Sequence, residues 1–167
     1  MRPVPETRTT KDLDRLPREV ERALSGEAFR RRRRIVLPLL TTDPQGYPRA
    51  ALLTPAEVRA NSPTQLTVAV IATSRTALNL IRRRRATLLY MHRGMTAAVQ
   101  ARAGRGRASA VDPDRHIFPL SIDRVRVDRP SRKEGDVSLL TGPTFTGLDA
   151  RRIFRHDLFE ELSRVRA

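Results

Sequence analysis

Between residues 35 and 128 the chain is a succession of short apolar runs, each closed by a turn signal, and that rhythm leaves few architectures open. The run "IVLPLLTT" (35–42) ends at "DPQG" (43–46), where Asp43 opens a turn, Pro44 fixes φ and Gly46 tolerates a positive φ. "YPRAALLTPAEV" follows as its hairpin partner, broken near Pro55, and "NSPTQ" (61–65) turns the chain into "LTVAVIAT" (66–73), which is rich in β-branched residues. "ATLLYMH" (86–92), the tight turn "RGM" and the long "TAAVQARAGRGRASAV" read as a further hairpin. In it Ala97, Val99, Ala101 and Ala103 alternate with Gln100 and Arg102, as in a half-exposed strand. The last run, "FPLSIDRVRVD" (118–128), alternates over Ile122, Val125 and Val127 with a slip of phase. Six short strands and sparse helices predict a mainly β protein, a small barrel with helical appendages.

Helical periodicity occurs three times. "DRLPREVERALSGEAF" spaces Leu16, Val20 and Leu24 four apart, with Gly26 placed to end the helix. After "LTVAVIAT", Ser74 caps a segment in which Ala77, Leu80 and Ile81 share a face with Leu78 beside them. Near the C-terminus, Phe154, Leu158, Leu162 and Val165 form one apolar stripe. Residues 1–12 are polar and proline-bearing and are expected to be loose, and the stretch "RPSRKEGDVSLLTGPTFTG" is expected to be a loop with one strand-like piece. With no internal repeat, the expectation is one domain over 1–167: tail and helix (1–34), barrel core (35–147) and C-terminal helix (148–167).

Composition narrows the chemistry. Apolar residues at 39% and charged residues at 31% suit a folded domain. The net charge of +15 is almost all arginine, with lysine only at Lys11 and Lys133. Such a surface attracts polyanions, and Arg30–Arg34 and Arg82–Arg85 are the clusters through which nucleic acid could be held. Each has a plainer reading: a solvated helix–strand junction for the first, and a helix C-terminus that favours cations for the second. Aromatic residues are only 4%, tryptophan is absent, and no nucleic-acid-binding module stands out.

Without cysteine there is no disulfide, thiolate nucleophile or cysteine metal site. His92, His116 and His156 match no metal-pair spacing, so no metal is expected. No Gly-x-Ser-x-Gly elbow or Walker loop occurs, "AGRGRAS" follows a strand and precedes no helix, and "DPDR" reads as a turn. No residue can be named as catalytic, and an enzyme of this composition would take its chemistry from a cofactor. The start of the sequence lacks the apolar region of a signal peptide and the apolar runs fall short of a membrane span, so a cytoplasmic protein is expected.

Two segments carry a family resemblance. "GYPRAALLT" (Gly46–Thr54) resembles the glycine, proline and arginine-led second strand of the flavin-binding split-barrel family typified by pyridoxamine 5′-phosphate oxidase. "TSRTALNLIRRRRATLLY" resembles that family's Ser-Arg-Lys step, helix, basic end and following strand. The resemblance, over roughly residues 35–128, implies a six-stranded antiparallel split β-barrel that forms a homodimer, with flavin mononucleotide (FMN) between subunits and a small-molecule substrate. Carried over, Arg49, Leu52, Leu53 and Thr54 flank the flavin, while Thr73, Ser74, Arg75 and Thr76 hold its phosphate at a helix N-terminus. Asn79 lies one turn beyond Arg75 and could reach the same side. The residues alone equally allow Ser74 to be only a cap and Arg75 to be solvated.

The departures are informative. Thr54 and Thr76 stand where the family has lysine, so two phosphate-binding charges are missing. The Trp- and Arg-rich C-terminal substrate segment of the oxidase has no counterpart, and pyridoxamine phosphate oxidation is not expected. Relatives in the superfamily also use deazaflavin or haem, for which the three histidines would be the available imidazole ligands.

Overall fold

The computed structural model describes residues 8–26, 34–130, 142–146 and 155–165. Among these residues nine strands form one antiparallel sheet: β1 (Arg8–Leu13), β2 (Leu37–Thr42), β3 (Pro48–Leu53), β4 (Val58–Ser62), β5 (Gln65–Ile71), β6 (Arg85–His92), β7 (Met95–Ala103), β8 (Arg107–Ala108) and β9 (Arg115–Pro130). The spatial order is β3-β2-β6-β7-β9-β5-β4, and β1 and β8 also pair with β9. The sheet curls about one core, in which Leu37, Leu39, Leu66, Val68, Leu88, Tyr90, Val99, Phe118, Leu120 and Val125 are fully buried. Among the described residues three helices flank it: α1 (Arg18–Leu24), α2 (Arg75–Arg83) and α3 (His156–Leu162).

The turn chemistry behaves as its residues require. In "DPQG" the Asp43 carboxylate accepts from the Tyr47 N–H, the Gly46 N–H donates to the Asp43 carbonyl, and Gly46 sits at φ 93°. In "RGM" both Arg93 and Gly94 have positive φ, 46° and 72°, as a two-residue hairpin loop matched to strand twist demands. The slip of phase in the last run is a β-bulge: Gln100 pairs with Arg124 and Ala101 with Ile122, which leaves Asp123 as the extra residue.

Three features raise the strand count above the six expected, and of these the break near Pro55 was anticipated. Residues 8–13, expected to be loose, form β1, because the far half of β9 offers an unpaired edge to Arg8–Leu13. The second strand splits at Pro55, where a single 3-10 turn (Pro55–Glu57) redirects the chain into β4. The long fifth strand stops at Ala103. Beyond it the chain passes so close to β9 that a side chain on Gly104 would meet the Pro119 ring at 2.9 Å and one on Gly106 would collide with the Phe118 ring. Glycine is needed there for close approach rather than for phosphate binding.

The arginine run is a corner. Arg82 and Arg83 end α2, Arg84 caps it in the left-handed conformation (φ 55°), and Arg85 opens β6. Arg83 donates to the Asp43 and Pro44 carbonyls, and Arg84 Nε donates to the Ala103 carbonyl at 3.0 Å. Arg30–Arg33 and Phe154 lie outside the described residues.

Helix α3 is docked by polar contacts as well as by Leu158 and Leu162. Asn61 Nδ2 donates to the Leu162 and Val165 carbonyls, which satisfies acceptors at the helix end. Arg59 lies 4.5 Å from the centroid of the Phe159 ring and donates to the Phe159 carbonyl. The buried Glu161 carboxylate accepts from the Arg107 guanidinium (2.7 Å), the Ala110 N–H (2.9 Å) and the Ser109 hydroxyl. Burial pushes its pKa up, but the Ala110, Ser109 and Arg107 donors outweigh burial and hold it below the ordinary glutamate value. Among the described residues no helix is long and apolar enough to cross a membrane.

Candidate functional site

The two segments singled out in the sequence face one another across a cavity. The end of edge strand β3 contributes Ala51, Leu52, Leu53 and Thr54, and the start of α2 contributes Ser74 and Thr76, to a space of about 350 Å³. Val70, Ile71, Glu57, Arg115 and Phe145 complete its walls. Leu52 and Ile71 are large apolar side chains left 59% and 51% exposed, so this wall is both apolar and open.

At the helix start, Ser74 Oγ accepts from the Ala77 N–H at 3.1 Å. That is an ordinary N-cap, and it leaves the hydroxyl hydrogen free to donate. Thr76 is only 5% exposed and lines the cavity, and among the described residues its hydroxyl makes no hydrogen bond. A hydroxyl that opens on a cavity at a helix N-terminus can join the backbone N–H groups there in holding an anion.

The other predicted residues are placed differently. Thr73 is exposed and lines a second, larger cavity of about 720 Å³. Arg49 and Arg75 are exposed and line neither cavity. Asn79 is buried and donates to Thr41 Oγ1 at 3.0 Å, so it faces the sheet rather than the solvent side of Arg75. His92, His116 and His156 line neither cavity, and no group of three or more metal-binding side chains occurs among the described residues.

One pair of residues was not singled out by sequence reasoning. Glu57, 7% exposed, accepts from both the N–H and the hydroxyl of Thr54, at 2.7 and 3.0 Å. Its other oxygen holds Arg115 in a short ion pair. Arg115 and Glu57 line both cavities. On the far side Arg115 Nε lies 3.8 Å from Asp112, which also binds Arg155 at 2.9 Å. "DPDR" itself is the expected turn, with the Arg115 N–H on the Asp112 carbonyl. The sequence does carry a signal for Glu57: "TPAE" is a capping box, with Thr at the N-cap and Glu three residues on.

No protein-family model and no curated protein matches this sequence. Solved structures do. A putative pyridoxamine 5′-phosphate oxidase from Lactobacillus delbrueckii aligns with a TM-score of 0.52 and 17% identity, covering 68% of this chain and 94% of its own. HupZ of Group A Streptococcus aligns with a TM-score of 0.52 and 10% identity, covering 78% and 100%. The styrene monooxygenase flavin reductase of Pseudomonas putida S12 gives a TM-score of 0.45 and 10% identity over 53% and 78%. At these identities the likeness is one of fold. By fold the chain is a split-barrel protein. It shares that fold with the putative pyridoxamine 5′-phosphate oxidase above, which is the fold the resemblance implied.

Proposed function

We propose that the protein is a flavin-binding split-barrel oxidoreductase that holds FMN in the cavity between β3 and α2. The observation that carries this reading is the shared cavity: Ser74 and Thr76 at the start of α2 open on an apolar wall of Leu52, Leu53 and Ile71. Hydroxyls and backbone N–H groups at a helix N-terminus suit a phosphate, and an apolar wall suits a planar ring. Bound flavin would supply hydride or electron transfer. The chain's own residues would anchor the phosphate through Ser74, Thr76 and the first N–H groups of α2, with Arg75 at the rim. Leu52 and Leu53 would keep water from one face of the ring.

The same reading includes a homodimer. The outer edge of β3 has no strand partner among the described residues, and Leu52 on it is exposed together with Leu78 and Ile81 of the neighbouring α2. A second copy covering that edge would bury all three. The substrate is a small molecule admitted beside the flavin, and the larger cavity lined by Thr73 adjoins the site for it.

The test is direct. Purified protein titrated into FMN is expected to quench flavin fluorescence, and no quenching at about 100 µM flavin, weaker than roughly −5.5 kcal/mol, overturns the reading. Sedimentation of the same sample is expected to give a dimer.

A further inference from the structure

The proposed site has a charge problem. Thr54 and Thr76 carry no charge, and Arg49 and Arg75 do not line the cavity. Among the described residues, the formally charged ones in its lining are Glu57 and Arg115. We propose that Arg115, held in place by Glu57, is the cationic anchor for the ligand's phosphate and makes the site prefer a phosphorylated ligand to its phosphate-free form. This rests on the flavin reading above.

Geometry supports it in three ways. First, the Arg115 backbone is pinned at the start of β9: its N–H donates to the Asp112 carbonyl at 2.9 Å, its carbonyl accepts from the Ser109 N–H at 2.9 Å, and it pairs with Ile71. The guanidinium therefore projects from a fixed point. Second, Glu57 fixes the guanidinium's position and is itself fixed by Thr54, so the group is preorganised before any ligand arrives. Third, the guanidinium is not used up. Glu57 engages Nη1, and Asp112 stands 3.8 Å from Nε, beyond hydrogen-bonding distance. Among the described residues the N–H groups of Nη2 have no acceptor, and the side chain is 25% exposed. Spare donors on a partly buried arginine bind phosphate oxygens strongly and directionally. Because Glu57 shares its charge with Thr54, the pair is not a closed salt bridge, and an anion can join it as a third member.

Thr54 gains a reason here. A lysine at position 54 would compete with Arg115 for Glu57, whereas a threonine supplies the N–H and hydroxyl that orient the carboxylate. The charge that residues 54 and 76 lack is thus supplied by Arg115, which Glu57 links to Thr54.

The experiment compares FMN with riboflavin, which lacks only the phosphate, by fluorescence titration of wild type and two variants. Arg115→Ala is expected to weaken FMN binding at least about tenfold and riboflavin binding less than about twofold. Should Arg115→Ala unfold, the Glu57→Gln/Arg115→Gln double variant keeps a neutral, hydrogen-bonding pair in the same volume, and its riboflavin binding reports that the cavity is intact. An equal loss of both ligands, or an unchanged ratio, overturns the anchor while leaving the flavin reading standing. Wild type that binds neither flavin overturns both.

Discussion

Glu161 is where helix α3 can be detached chemically. Replacing it by alanine removes the acceptor for three donors at once: the Ala110 N–H, the Ser109 hydroxyl and the Arg107 guanidinium. Ser109 is 7% exposed and cannot turn to water in place, and Arg107 is 44% exposed and can. Two stranded donors at about 1–3 kcal/mol each, one of them only part-buried, give an expected loss of about 3 kcal/mol. Glu161→Gln keeps one acceptor oxygen and the shape, and is expected to cost about half as much. The sign of the pH effect follows from the depressed pKa. A carboxylate held below its unfolded value stabilises the fold above that value and loses the contribution as pH falls through the folded one. Wild type is therefore expected to lose stability progressively below about pH 4.5, and both variants to lose less over the same range. Urea denaturation near neutral pH and near pH 4 measures this. A Glu161→Ala loss under about 1 kcal/mol, or a variant whose pH slope matches wild type, would refute the reasoning.

Other substitutions probe other links. Gly106→Ala drives a methyl group into the buried Phe118 ring and is expected to cost about 2–3 kcal/mol, with Phe118→Leu in the same chain relieving part of it in a double-mutant cycle. Arg93→Asn, at a φ of 46° before Gly94, creates the Asn-Gly pair favoured in such hairpins and is expected to raise stability by about 0.5–1 kcal/mol in thermal denaturation. Thr76→Val replaces the cavity-lining hydroxyl with a methyl group, and is expected to weaken FMN several-fold without destabilising the unliganded protein, because among the described residues that hydroxyl has no partner to lose. Arg75→Ala, at the rim, is expected to weaken FMN less than Arg115→Ala does, with both read by fluorescence titration.

What the sequence made legible was local. "DPQG" and "RGM" declare their turns through residues that need particular backbone angles, and the register slip at Ile122–Val125 declares the bulge through a broken alternation. The placement of Leu52, Leu53, Thr54, Ser74 and Thr76 around one cavity followed from segment order and a resemblance, not from periodicity. What stayed hidden depends on distant neighbours. Arg8–Leu13 is polar and becomes a strand only because β9 is long enough to pair with it. Gly104 and Gly106 look like flexible loop residues until Pro119 and Phe118 come beneath them. Glu57 and Arg115 lie on elements far apart in the chain, and nothing local in "DPDR" announces the partner.

Strand β9 has a kinetic consequence. It pairs with β1, β5, β7 and β8, so elements spread from residue 8 to residue 108 acquire their common partner only when residues 115–130 arrive. During synthesis β1, β5 and β7 leave the ribosome before the strand that joins them, with bonding edges uncovered. Such non-local pairing makes folding slow and late, and it concentrates the risk of misassociation in the interval before β9 emerges. A chain cut before residue 115 would lack the central strand and stay unfolded. β9 therefore controls the timing of folding as well as the final structure.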